Sequence, residues 1–480
     1  MKVAAAVIDD DPPDQPTERD EAHQALYEAV DLLEAGKHWS AIRDALDVLH
    51  AGDDHLKLLV FCICLTSGLK EKGHFWAVGR SQMGKSRLET KTAELFPNVE
   101  VYDTQSPLFL LYQVKDEGPE YLKGKIVVIE EVLDHPAVWG LIKRLTSADK
   151  DHVTHGTVVN GRPLKLEIVG LPVVLSNSVE TSVDEQINNR FFIGNVDESA
   201  AQDERVRDFQ VEEAEGLARA ERERKVALGR AIVQQILSER DVEVLLPAAR
   251  FIDFPMTAER VNRKKFYRLV KVVAYANRYR RRRLGKGRDE GPLVATEEDA
   301  RFAYGLWLGV QAYQQTQLDE TGTKILREVP ADAYEPLPSI LERLESKAVN
   351  PSTARKRLKR LYEQNLVDER RTKEVDFDEG TGYQKVVPGW TLEYKRTVGD
   401  LEWFSTFPRG LEGGLENPSS LPSPLQGEES VREIYYRRWA VSLVDRGDFH
   451  ISTISTNPYK KEDVKAWAAE MAATILGREA

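Results

Sequence analysis

The residues Gly79-Arg80-Ser81-Gln82-Met83-Gly84-Lys85-Ser86 match the spacing G-x-x-x-x-G-K-[ST] at every fixed position. That spacing suits phosphate. Two glycines let the backbone curl until successive N–H groups face the β- and γ-phosphates of a nucleotide at the amino end of a helix. Lys85 adds a point charge there, and the Ser86 hydroxyl is a ligand for Mg²⁺. Gly79, Ser81, Gln82, Met83, Gly84, Lys85, Ser86 and Arg87 are therefore the expected nucleotide-binding residues, with ATP and Mg²⁺ as their ligands. The flanks agree. Phe75-Trp76-Ala77-Val78 is an apolar run of the kind that forms a buried strand, and Lys85 to Leu95 carries Leu88 and Leu95 on one side of a helix.

Further along the chain, Lys125-Ile126-Val127-Val128-Ile129-Glu130-Glu131 is a β-branched run ending in two carboxylates, the form of a Walker B strand. Glu130 is expected to hold Mg²⁺ through water, and Glu131 to orient and deprotonate the attacking water. Pro172-Val173-Val174-Leu175-Ser176-Asn177 is another buried strand, ending in an amide that can hold the lytic water or sense the γ-phosphate. Between the two lie Val153 to Val159 and Pro163 to Val169, β-rich runs joined at Asn160-Gly161, which predict a hairpin with a type I′ turn. Asn188-Asn189-Arg190-Phe191-Phe192 then puts an arginine shortly before Asp197 and Asp203.

Elements must surround these residues. A chain of 480 residues with 41% hydrophobic content can bury a large core and divide into about three folded units. The net charge of −12 excludes a uniformly basic nucleic-acid coat, so any such contact has to come from local patches. The two cysteines, Cys62 and Cys64, sit in an apolar segment too short to span a bilayer and suit a reduced core. No signal peptide is evident, and the expectation is a cytoplasmic protein with no membrane contact.

The acidic, proline-bearing residues 1–20 read as a disordered lead-in, and 21–70 as helices at apolar spacing packed on a nucleotide-binding core over 71–200. Residues 201–330 read as charged helices. Within them Arg278, Arg280, Arg281, Arg282, Arg283, Lys286 and Arg288 are either a solvent-facing run or a patch that meets nucleic acid or an acidic surface. The region 331–400 has the pattern of a winged helix: a helix from Pro338, a second after the Asn350-Pro351-Ser352-Thr353 cap, then a ribbon. Arg355, Lys356, Arg357 and Lys359 crowd the second helix, where a recognition helix meets the major groove and its phosphates, although such modules also dock proteins. Residues 401–430 form a linker rich in Pro, Gly and Ser, and 431–480 reads as a small βα segment.

The order of these features resembles the AAA+ ATPases, and within them the helicases with a hairpin before sensor 1: the minichromosome maintenance family and the superfamily 3 helicases of viruses and plasmids. The resemblance covers about Asp53 to Gly309. It implies an α/β fold with a P-loop AAA+ core and a helical lid, followed by the winged helix. Carried across, Asn177 matches sensor 1 and Arg190 the arginine finger. Asn262-Arg263-Lys264-Lys265-Phe266 is similar to the lid, and Arg263 falls where those lids carry sensor 2, with Arg268 as its rival. Two departures stand out: Glu130 occupies a position usually held by Asp, and the Asn177 to Arg190 interval is nearer the superfamily 3 arrangement. The implied activity is ATP-dependent helicase or translocase work on DNA by a homo-oligomer, a hexameric ring, in replication of a mobile element or small replicon. Arg162 and Lys165 on the hairpin would grip the strand in a central channel. An ATP-switched initiator, or a remodeller of a protein partner, fits the same residues.

Overall fold

The computed structural model describes residues 18–102, 109–130, 136–147, 152–159, 162–178, 185–216, 218–253, 259–285, 290–316, 320–363, 367–372, 375–377, 384–386, 391–396, 423–445 and 461–478. The chain first makes three helices, α1 (Glu18–Ala35), α2 (His38–Asp47) and α3 (Asp54–Leu65). Then strands and helices alternate: β1 (His74–Val78), α4 (Lys85–Ala93), β2 (Val99–Tyr102), α5 (Phe109–Glu117), β3 (Ile126–Ile129) and α6 (Pro136–Leu145). A pair of longer strands follows, β4 (His152–Val159) and β5 (Arg162–Val169), and then β6 (Val173–Ser178), α7 (Glu185–Arg190) and β7 (Phe192–Asn195).

Five of these strands form one parallel sheet in the order β2-β3-β6-β1-β7. A parallel sheet needs crossover helices and is buried on both faces, which is why β1, β3 and β6 are buried along their whole length. Side chains alternate along β1. Phe75 and Ala77 join the larger core with α1 to α4, while Trp76 and Val78 join a second core with α5, α6 and the β4–β5 pair. Trp76 is wedged edge-on between Trp139 and Phe191 and donates its indole N–H to Ser178 at 3.0 Å. β4 and β5 pair antiparallel in full register, Val159 opposite Arg162 and His152 opposite Val169, so the expected hairpin is present.

Beyond β7 come α8 (Ala200–Glu215), α9 (Arg219–Leu237), β8 (Val244–Leu245), α10 (Glu259–Ala276), β9 (Leu293–Val294) and α11 (Glu297–Thr316). α9, α10 and α11 bury Ile232, Phe266, Tyr275 and Trp307 in the larger core. The arginine run after α10 is tied down within the chain. Arg281 pairs with the fully buried Asp299 at 2.7 Å, Arg278 and Arg283 both meet Glu239, and Arg282 meets Glu470 at 2.5 Å. For these four the acidic surface is this chain's own, while Lys286 and Arg288 lie outside the described residues.

A separate core gathers α12 (Glu320–Glu328), α13 (Leu337–Ser346), α14 (Pro351–Glu363), β11 (Val367–Thr372) and β14 (Thr391–Arg396), and the same stretch holds β10 (Glu335–Pro336), β12 (Val375–Phe377) and β13 (Gln384–Val386). Its sheet runs β10-β14-β11, with β12 and β13 paired as a ribbon. Ile325, Ile340, Leu344, Leu358, Leu361 and Tyr394 fill it.

The C-terminal region corrects the expectation of a βα segment. Trp439 to Val444 belongs to a helix, α15 (Glu429–Asp445), which packs on a second, α16 (Lys461–Ile475). Tyr436, Ala440 and Leu443 recur at helical spacing and are buried, so a face of α15, not alternate residues of a strand, meets the core. The anchor is polar as well: Arg432 pairs with Glu297 at 2.7 Å and Tyr436 donates to the same carboxylate at 2.9 Å. Cys62 and Cys64 are buried in α3, where desolvation pushes both thiols up. Among the described residues no helix is long and apolar enough to cross a membrane.

Candidate nucleotide-binding site

Register brings the chemistry together. Because the strands are parallel, Ala77 of β1 lies beside Asn177 of β6, and Ile129 of β3 beside Ser176. The loop after Val78, the carboxylate after Ile129 and the amide of Asn177 therefore meet at one end of the sheet, where ligands of open α/β folds bind. Gly79 and Gly84 hold φ values of +147° and +83°, which side-chain-bearing residues rarely adopt, and Gly84 ends the loop where α4 begins. Substituting Gly79 would also drive a Cβ to 2.8 Å from Val196.

Lys85 is buried, and its ammonium donates to the carbonyls of Gly79 at 2.9 Å and Arg80 at 2.6 Å. Ser86 opens the first turn of α4, with its hydroxyl 3.3 Å from Asn177 Nδ2. Ser81 and Gln82 are exposed at the crown of the loop, Gln82 with φ of +66°, and Met83 leans on the larger core. Arg87 turns away, over the Phe209 ring and 3.5 Å from Glu213 of α8.

Three features had no signal in the linear pattern. Glu89, fully buried on α4, accepts from Asn177 Nδ2 at 2.8 Å. Burial pushes its carboxyl up to about 8; the Asn177 hydrogen bond opposes that shift and the Glu130 charge adds to it. Glu198 grips the loop from outside, accepting the Arg80 amide N–H at 2.8 Å and Arg80 Nε at 2.6 Å. Third, His50 bonds Asp53 at 3.0 Å and packs near Gly84, while Asp53 accepts the Asp197 amide at 2.9 Å, so the turn between α2 and α3 buttresses the loop. Only helical periodicity around Leu88 could have pointed to Glu89 as a core-facing residue.

Glu130 follows β3 at the same end of the sheet, and its charge reaches Glu89. Among the described residues no group of three His, Cys, Asp or Glu could hold a metal on its own. The donors at hand, the Ser86 hydroxyl and the Glu130 carboxylate, fit Mg²⁺, which keeps several waters and leans on phosphate oxygens. Such an ion would neutralise charge on the phosphates. Glu131 lies outside the described residues.

The remaining expected residues stand elsewhere. Arg190 ends α7 just ahead of β7, and Phe192 pairs with Phe75, so Arg190 is level with the start of β1. That is the opposite end of the sheet from the phosphate loop. It donates to the Gln186 carbonyl at 3.0 Å, and its Nε is buried without a hydrogen-bond partner among the described residues. Arg263 donates to the Ile252 carbonyl at 2.8 Å and lies 3.9 Å from Asp253. Two residues further along α10, Lys265 is buried and bonds the carbonyls of Asn188 and Phe191, again at the amino end of β7. Neither Arg263 nor Arg190 is brought to this chain's own loop. Arg162 opens β5, and Lys165, opposite Gly156, is exposed on the same strand; the turn at Asn160 and Gly161 lies outside the described residues. On α14, Ala354, Leu358 and Leu361 face inward, while Arg355, Lys356 and Lys359 are exposed and Arg357 is half-buried.

A glycine loop and Lys-Ser helix start, set at the carboxyl end of an interior strand of a parallel sheet, define a P-loop nucleotide-binding domain. Residues 23–239 match the family model described as "MTBMA_p00010 P-loop domain". The chain is also 26% identical over 312 residues to a Methanothermobacter marburgensis protein described as "Uncharacterized protein MTBMA_p00010". The match takes in 63% of this chain, and the chain spans 38% of that relative's length.

Proposed function

We propose that this chain is an AAA+ ATPase that couples ATP hydrolysis to movement on, or opening of, DNA. The observation that carries the proposal is topological. The sheet order β2-β3-β6-β1-β7, with the β4–β5 hairpin placed between α6 and a β6 that ends in Asn177, follows the plan of helicases with a hairpin before sensor 1. In this reading Lys85 and Ser86 hold phosphates and Mg²⁺, Glu130 backs the metal, Glu131 activates water, and Asn177 senses the γ-phosphate.

Arg190 supports a shared site. A strand of five residues spans about 16 Å, so a guanidinium level with the start of β1 cannot serve phosphates beyond its end. It suits an arginine finger for the neighbour in a ring, and Arg263, on α10 at the same end of the sheet, would act there too. The helices α12 to α14, with their three-stranded sheet and ribbon, support a winged helix whose α14 meets duplex phosphate through Arg355, Lys356, Arg357 and Lys359. Arg162 and Lys165 on the hairpin would contact the strand in the channel.

The deciding experiment is the ATPase rate alone, with single-stranded DNA and with duplex. Strong stimulation by single strands supports a motor. Weak turnover with tight duplex binding means a switch, and indifference to DNA overturns the DNA reading.

A further inference from the structure

We infer that Glu89 is a positioning residue: it fixes which face of the Asn177 carboxamide is turned toward the phosphate loop. The inference rests on the reading of Asn177 as a γ-phosphate sensor.

A fully buried carboxylate on a helix is costly unless it is hydrogen-bonded, and the ordinary solution at such a core-facing position is an apolar side chain. Glu89 instead commits an oxygen to Asn177 Nδ2, at 2.8 Å, and the Ala77 backbone also hydrogen-bonds the carboxylate.

A carboxamide has two donors on one side and an acceptor on the other, and half a turn exchanges them. An ionised carboxylate can only accept, so it discriminates between the two orientations, whereas a protonated one also carries an O–H that can donate. Facing Glu89, Asn177 presents Nδ2, and that same nitrogen then lies 3.3 Å from Ser86 Oγ. In the flipped orientation an amide oxygen would oppose Glu89, and with Glu89 ionised the bond would be lost. The backbone cannot compensate, because Asn177 is held in register between Ala77 on β1 and the end of β3. Glu89 thus selects the orientation that aims N–H groups toward Ser86, the side on which the terminal phosphate of ATP would stand. ADP has no group there. Glu89 should therefore matter for ATP and not for ADP.

The test is titration of the full chain, with Mg²⁺ and at a pH above about 8 where Glu89 is ionised, against fluorescent ADP and a fluorescent, non-hydrolysed ATP analogue. Glu89→Met, which removes the acceptor at similar volume, should lower the preference for ATP over ADP about tenfold and leave ADP affinity within about twofold. Glu89→Gln, whose carboxamide can accept or donate and so pairs with either orientation, should also lower the preference. In an Asn177→Ala background Glu89→Met should add nothing. An unchanged preference in Glu89→Met overturns the proposal, as does an equal loss of ATP and ADP affinity or a further loss on top of Asn177→Ala. If thermal melting shows Glu89→Met unfolded, Glu89→Ala carries the same comparisons. Full ADP affinity in Lys85→Ala would instead overturn the phosphate-loop reading beneath it.

Discussion

Glu198 clamps Arg80 twice, through the backbone N–H at 2.8 Å and Nε at 2.6 Å, and so closes the outer edge of the phosphate loop from the segment after β7. Inside the same loop Lys85 bonds the carbonyls of Gly79 and Arg80. These contacts shape the loop. Its lysine must trade two neutral acceptors for charged phosphate oxygens, a stronger pairing.

That exchange makes Lys85 and Glu131 separable. Lys85→Ala should lose nucleotide binding, since the point charge and its anchor go together. Glu131→Gln should bind ATP normally and turn it over at least about a hundredfold more slowly. Equilibrium binding and a phosphate-release assay on both variants check this, and normal turnover in Glu131→Gln would remove its role as the base.

Arg190 is tested by mixing. Arg190→Ala and Lys85→Ala subunits, each inactive alone, should regain activity together, because a junction with Lys85 on one side and Arg190 on the other can form. An arginine supplied in trans is worth about 10³-fold or more in rate. Mixed rings that assemble and stay inactive would end the shared-site reading.

The exposed cations of α14 should act on duplex affinity and the hairpin on coupling. Changing Arg355, Lys356 and Lys359 to Ala should weaken duplex binding and reduce the slope of log affinity against log salt by about one for each phosphate no longer neutralised. Changing Arg162 and Lys165 should spare duplex affinity and lower DNA-stimulated turnover. A hairpin variant that is stimulated like the parent would take the hairpin out of the channel.

Stability should depend on pH through Glu89. Its carboxyl is pushed from the ordinary 4.5 up to about 8 by burial, so the folded chain binds a proton that the unfolded chain has released. The contribution is complete below about 4.5 and is lost as pH rises through about 8. Relative to Glu89→Gln, which has no charge to bury, the parent should melt at progressively lower temperature as pH climbs through that window. Parallel melting curves would show that Glu89 is not desolvated as described.

Arg281 and Asp299 make the structural counterpart. Arg281→Ala removes the charged partner of a fully buried carboxylate, which keeps hydrogen bonds from Asn277 and Thr296, and should cost about 3–5 kcal/mol while leaving any DNA binding untouched. Urea denaturation and duplex titration on the same variant read the two effects apart.

What could be read from the chain and what could not divides along range. The phosphate loop, the β3 run and the Asn160-Gly161 hairpin are local patterns, each complete within a few residues, and the structure has the loop between strand and helix, a strand at β3, and the hairpin. Trp439 to Val444 misled because a short, mostly apolar run fits either period, and only the distant core that buries Tyr436, Ala440 and Leu443 decides for helix. The arginine run looked like a surface because its partners, Glu239, Asp299 and Glu470, are scattered along the sequence. Glu89 and Glu198 escaped notice for a related reason: a lone glutamate on a charged helix or after a strand carries no mark of what the fold will set against it.

The path of the chain through its two cores has a mechanical meaning. It leaves the larger core at the end of α11, builds the separate unit of α12 to β14, and returns to the same core through Leu425, α15 and α16. A domain hung from one linker swivels, and a pull on it reaches its host at a single point. This unit is a loop with both feet planted, one of them on a helix packed against β7, the neighbour of the strand that feeds the phosphate loop. A duplex bound as proposed would act on a unit tethered at both ends, through residues 317–319 and 397–422 that lie outside the described residues. Cutting the chain between β14 and Leu425 would convert a two-point mount into a swivel while leaving the packing of both cores intact.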